Sequence, residues 1–227
     1  SRYDLVLEPD FETFEFAGVV DVTLIIGEAL DEIVLNADEL SFGAAWLEPA
    51  SGDRIDVTDV RLDPETERAH LSLARTASPG DATLHVEFVG EVNDRLRGFY
   101  RSTYADDAGE HVIATTQMQP TDARRAFPCW DEPEFKAVFG LTLVVPSELQ
   151  VFANGAETSS SPTGDGKRRV SFADTMPMST YLIAFMVGRL ETTEPVAMGG
   201  VPVRIVHVPG KGELTSFALE VTEITLP

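Results

Sequence analysis

Between Phe14 and Ile26, Phe14, Phe16, Val20, Val22, Leu24 and Ile26 fall on one parity, with Gly18 in step. Glu15, Asp21 and Thr23 take the other parity. A period of two sends alternate side chains to opposite faces of an extended chain, so this stretch reads as a strand with one buried and one wet face. Strand-like runs follow at 32–36, 44–47, 54–62, 69–73, 82–92, 98–104 and 111–119. Others lie at 138–145, 150–153, 168–172, 182–190 and 201–206. Turn signals separate them, among them Ser51-Gly52-Asp53, Pro79-Gly80-Asp81, Asp106–Glu110 and Gly164-Asp165-Gly166. Short strands with frequent turns predict an all-β fold, a sandwich or open saddle of antiparallel sheets, and argue against βαβ units.

Three stretches leave this pattern. Thr121–Phe127 lacks alternation and reads as a turn or two of helix with Thr121 as its cap, ended by Pro128. Asp131-Glu132-Pro133 reads as a second short helical start. Near the end, Leu214, Phe217, Ala218, Val221 and Ile224 recur at spacings of three and four, one face of a helix. That helix follows Pro209-Gly210-Lys211-Gly212, which places a boundary between a β-domain at 1–210 and a helical piece at 211–227. A lone helix after a finished β-domain is the pattern expected of a larger protein cut short. Ser159–Gly166 reads as a polar hairpin loop.

Charge limits the partners. Acidic residues number 38 against 17 basic ones, a formal net charge of −21. Such a surface repels phosphate backbones and anionic membranes, so neither nucleic acid nor membrane is expected. No apolar run is long enough to span a bilayer. Strand-like Tyr3–Leu7 begins at once, without a signal peptide's charged and apolar regions. The single cysteine, Cys129, excludes an internal disulfide and fits a reducing, cytoplasmic compartment.

Little catalytic chemistry is visible. His70, His85, His111 and His207 are scattered, with no pair one helical turn apart as in His-Glu-x-x-His. Cys129, between Pro128 and Trp130, reads as a packed structural thiol more than a nucleophile. One segment stands out: Thr115-Thr116-Gln117-Met118-Gln119-Pro120. The residue before proline is pushed to extended geometry, so Gln117 and Gln119 share a face with Met118 opposite. Two amides on one side of a strand end can hold a polar ligand, or they can satisfy nearby loop backbone.

The stretch TTQMQPTDARRAFPCWDEPEFKAVF, Thr115–Phe139, resembles the signature of the aminopeptidase N family of zinc peptidases, and its puromycin-sensitive and tricorn-interacting-factor branch above all. Leu35–Leu40, Gly98-Phe99-Tyr100-Arg101-Ser102 and Thr175–Val187 resemble other family segments in the same order. The resemblance implies a saddle-shaped β-domain packed against a thermolysin-like catalytic domain, whose first helix would be the tail. It implies zinc in the parent enzyme and none in this chain, because the family's Gly-x-Met-Glu-Asn and His-Glu-x-x-His segments do not occur here. It implies that Gln117 lines the pocket for the substrate's first side chain. Gln119 falls where the family usually has a glutamate that holds the substrate's free amine. Arg124, Asp131 and Glu132 are read either as support for the cleft or as capping and ion pairing, and Asp122 as a helix N-terminal charge.

The expected function is therefore a substrate-binding and scaffolding domain of a zinc aminopeptidase, inactive alone, whose partners are a peptide N-terminus and its own catalytic domain. The alternative is a non-catalytic interaction module from an aminopeptidase-related assembly subunit. A free-standing carbohydrate-binding sandwich is a third, disfavoured by the missing aromatic platform.

Overall fold

The structure, a computed structural model, describes residues 1–50 and 52–226. Ser51 of the expected turn and Pro227 of the expected tail lie outside the described residues. Fourteen strands build two main sheets. In chain order they are β1 (Arg2–Pro9), β2 (Glu15–Ile26), β3 (Leu30–Asn36), β4 (Ser41–Pro49), β5 (Ile55–Asp63), β6 (Arg68–Ala77) and β7 (Gly80–Glu91). They continue as β8 (Gly98–Asp106), β9 (Gly109–Gln117), β10 (Val138–Pro146), β11 (Gln150–Ala153), β12 (Glu157–Pro162), β13 (Lys167–Phe172) and β14 (Phe185–Gly188). Two short ribbons pair Glu191–Thr192 with Val206–His207 and Val196–Met198 with Val201–Val203. Helix α1 (Thr215–Thr225) follows a 3-10 turn at Gly212–Leu214.

Ten strands form one sheet in the order β12-β13-β10-β1-β2-β7-β4-β5-β6-β3, and four form a second in the order β11-β14-β9-β8. All pairings are antiparallel except β1 with β10, which run parallel. The two neighbours of β1 in space are thus β2, next in sequence, and β10, more than a hundred residues away. Among the described residues, Trp46↔Asp56 and Leu47↔Ile55 join β4 to β5.

The parity of β2 is realised: Phe16, Gly18, Val20, Val22 and Ile26 face the core while Glu15, Ala17 and Thr23 are exposed. Glycine has a packing reason at two points of the β2–β7 pair. Gly18 lies across from Phe88 and Gly90 across from Phe16. A Cβ on Gly18 would stand 2.3 Å from the Phe88 ring, and one on Gly90 would stand 2.4 Å from the Phe16 ring. Each missing side chain makes room for the ring opposite it.

Aromatic edges link the sheets. Phe16 of β2 lies 5.1 Å from Phe99 of β8, which lies 4.9 Å from Phe185 of β14, both with inclined rings. These spacings suit edge-to-face contact. Tyr3, Phe139 and Phe127 form a second cluster against the signature segment. The two clusters belong to one contiguous core.

Several expectations change. Thr121–Phe127 forms only a three-residue 3-10 turn, Ala123–Arg125, and its cap position is Asp122, not Thr121. The turn is too short for helical capping, and the Asp122 carboxylate instead accepts a bond from Arg125 Nε at 3.0 Å. Asp131-Glu132-Pro133 forms no helix, because the Asp131 amide and carboxylate are engaged elsewhere. Part of the presumed loop at 159–166 is strand β12, an exposed edge whose polar residues betray no parity. The run at 182–190 is a 3-10 turn at Thr180–Leu182 followed by short β14, and 201–206 divides between the two ribbons. The tail helix forms, but Leu214, Phe217 and Ile224 remain 72%, 71% and 76% exposed.

Candidate functional site

Strand β9 ends at Gln117, two residues earlier than the alternation suggests. Gln117 pairs with Gly98 at the start of β8. Burial then alternates as expected: Gln117 and Gln119 are exposed, and Met118 between them is buried in the core. The peptide between Gln119 and Pro120 is cis. Neither glutamine side chain makes a hydrogen bond to another described residue. Met118 O accepts the amide of Asp122 at 2.8 Å and turns the chain into the 3-10 segment.

Behind the glutamines lies an ion network. Arg124 and Asp131 are both buried. Asp131 Oδ2 accepts from Arg124 Nε at 3.1 Å and from the Arg124 amide at 3.3 Å. Asp131 Oδ1 accepts from the Thr180 hydroxyl at 2.5 Å, and the Asp131 amide donates to Asn36 Oδ1 at 3.1 Å. Arg124 Nη1 reaches Glu67 at 2.9 Å. Arg125 lies within 2.5 Å of Asp38, 2.8 Å of Glu39 and 3.3 Å of Glu67. Burial disfavours the Arg125 charge, but Asp38 and Glu39 outweigh it and hold the guanidinium protonated. Arg95 holds the Glu39 carboxyl below its ordinary range. Burial pushes the Asp38 carboxyl up despite Arg125 beside it.

The carboxylates come from two turns, after β3 and between β5 and β6, where Glu39 and Glu67 adopt φ of 56° and 53°. The network therefore binds the signature segment to the far half of the large sheet. Glu132 is exposed and stands outside it. Arg124 and Asp131, both within the signature segment, form a buried ion pair.

Cys129 is fully buried, and its backbone pairs with Asn36 at 2.7 and 3.0 Å. Burial, then the neighbouring Asp131, pushes the thiol well above its ordinary range. A protonated, inaccessible sulfur is structural. The histidines lie apart, each beside its own carboxylate: His70 with Glu32, His85 with Asp21, His111 with Asp106 and His207 with Glu191. Among the described residues no three histidine, cysteine, aspartate or glutamate side chains are arranged to hold a metal ion, and the carboxylates gathered at Asp38, Glu39 and Glu67 are taken up by Arg125.

One cavity, about 600 Å³, lies between the β2–β3 turn and Trp130, Phe135 and Ala137, and another, about 380 Å³, lies beside Phe14, Glu39 and Arg101. Neither cavity is lined by Gln117 or Gln119. Sequence reading assigned no role to Thr180, Ser179, Asn36 or Glu67. Their only signal was polarity inside otherwise apolar or turn segments.

The sequence profile of the Peptidase M1 N-terminal domain matches residues 1–182. The chain is 38% identical over 224 residues to a puromycin-sensitive aminopeptidase of Caenorhabditis elegans, covering 98% of this chain and 24% of that protein. It is 40% identical over 228 residues to aminopeptidase M1-A of Oryza sativa subsp. japonica, covering 99% and 26%. It is 39% identical over 233 residues to the mitochondrial aminopeptidase 2 of Saccharomyces cerevisiae, covering 99% and 24%. The chain spans about a quarter of the length of these relatives.

Proposed function

Because the chain belongs to the peptidase M1 N-terminal domain family, we propose that it is the substrate-binding and scaffolding domain of a zinc aminopeptidase that removes residues from peptide N-termini. The observation that carries this reading is the glutamine pair. Two amides, exposed and without hydrogen-bond partners among the described residues, flank a buried methionine at the end of β9, on a segment braced by buried ions.

Gln119 presents an oxygen that accepts a bond from the substrate's ammonium, and Gln117 faces the first side chain. The ammonium is the only charged partner in that bond, so Gln119 lacks the ion-pair attraction that a glutamate at this position adds. The zinc and the activated water belong to the catalytic domain, and this chain's residues hold and orient the peptide. The exposed apolar side chains of α1 support placing residues 211–227 at the start of that domain, with 1–210 as the β-domain. A buried reduced thiol supports a cytoplasmic setting.

The purified chain, given zinc, is expected to release no fluorophore from aminoacyl-coumarin substrates above a buffer blank. Turnover that survives repurification overturns the assignment of catalysis to another domain.

A further inference from the structure

The segment Ser179–Phe185 grips both flanks of the glutamine pair. On the upstream side, the Phe185 amide donates to Thr116 Oγ1 at 3.1 Å, one residue before Gln117. On the downstream side, the Thr180 hydroxyl donates to Asp131 Oδ1 at 2.5 Å, and the Ser179 hydroxyl donates to Pro133 O at 2.6 Å. Both hydroxyl-bearing side chains are buried. The segment is itself fixed: Met178 and Ala137 exchange backbone bonds at 3.0 Å, and Asn154 holds Leu182 O at 2.9 Å and the Ala184 amide at 2.8 Å.

The glutamine side chains make no hydrogen bonds to other described residues, so the backbone on either side sets where they start from. Upstream that backbone is β9. Downstream it is the turn running from Met118 O through Asp122 to Arg124, whose amide and Nε both end on Asp131 Oδ2. The Thr180 hydroxyl takes the other oxygen of the same carboxylate. A carboxylate held from both sides cannot rotate away from Arg124.

We infer that Thr180 is a positioning residue for the amine-binding Gln119, acting through Asp131 and the Arg124 turn. This rests on the proposed role of Gln119. Thr180 touches no substrate. It keeps the segment that carries Gln119 in one place, and substrate binding then avoids the cost of ordering it.

The test is a double-mutant cycle in the complete aminopeptidase that carries this domain. Thr180→Val is expected to raise KM for an unblocked dipeptide substrate by roughly three- to tenfold, the weight of one ordinary hydrogen bond, with kcat changed less than about twofold. Thr180→Ser, which keeps the hydroxyl, is expected to restore KM. In a Gln119→Ala background, Thr180→Val is expected to add nothing, because no amide remains to position. A lowered Tm with KM unchanged overturns the inference, as does an equal KM effect in both backgrounds. If KM responds to Gln119→Ala but not to Thr180→Val, the brace alone is wrong. If KM ignores Gln119→Ala, the reading of Gln119 falls and takes the brace with it.

Discussion

Arg124 Nε lies 3.1 Å from Asp131 Oδ2, with side chains only 10% and 1% exposed. A pair so withdrawn from water stabilises little relative to an apolar pair of the same shape, but breaking it strands a buried charge. Asp131→Ala leaves Arg124 with Glu67 as its remaining carboxylate and removes the acceptor of Thr180. The expected cost is about 3–5 kcal/mol, read as a fall in the denaturation midpoint at unchanged m-value. A loss below about 1 kcal/mol, the level of an exposed pair, would show that the network is solvated.

Gly18 faces Phe88 so closely that a methyl group would overlap the ring. Both are paired within the β2–β7 ladder and buried. Gly18→Ala is expected to destabilise by about 1–3 kcal/mol, and Phe88→Leu in the same chain is expected to recover part of that loss. Thermal unfolding of the single and double variants checks it. Additive losses would mean that the ring is not the obstacle.

Glu39 provides a pH test. Bonding to Arg95 holds its carboxyl below the ordinary 4.5, with burial opposing and Arg125 assisting. A carboxyl lowered by folding contributes stability that is complete above its unfolded value. That stability is lost as pH falls through the folded value. Stability measured from pH 7 down to about 3 is therefore expected to fall less steeply below pH 4.5 in Glu39→Gln than in the unaltered chain. Asp38, raised by burial, works in the opposite sense, so Asp38→Asn is expected to steepen that limb. Identical acid limbs in all three proteins would contradict the assignment.

Periodicity made the strands legible wherever one face is buried and the other wet, as in β2 and β7. It failed at β12, whose six residues are all exposed and carry no parity. At 182–190 it held only for β14 (Phe185–Gly188), because the Thr180–Leu182 turn takes up the start of the run. Neighbourhood in sequence also gives no hint of the parallel β1–β10 pairing, since its partners are far apart along the chain. Gln117 and Gln119 were legible because proline and alternation fix their face locally. Thr180 and Glu67 were not, because their importance comes from Asp131 and Arg124, brought near only by the folded sheets.

The central claim is that Gln119 holds the free amine of a peptide. It is tested most directly by the affinity of the complete enzyme for two peptide inhibitors, identical except that one is N-acetylated. Gln119→Ala is expected to weaken the unblocked inhibitor by about tenfold, the loss of one bond to an ammonium, and to leave the acetylated one unchanged. Equal weakening of both, or of neither, would contradict the claim.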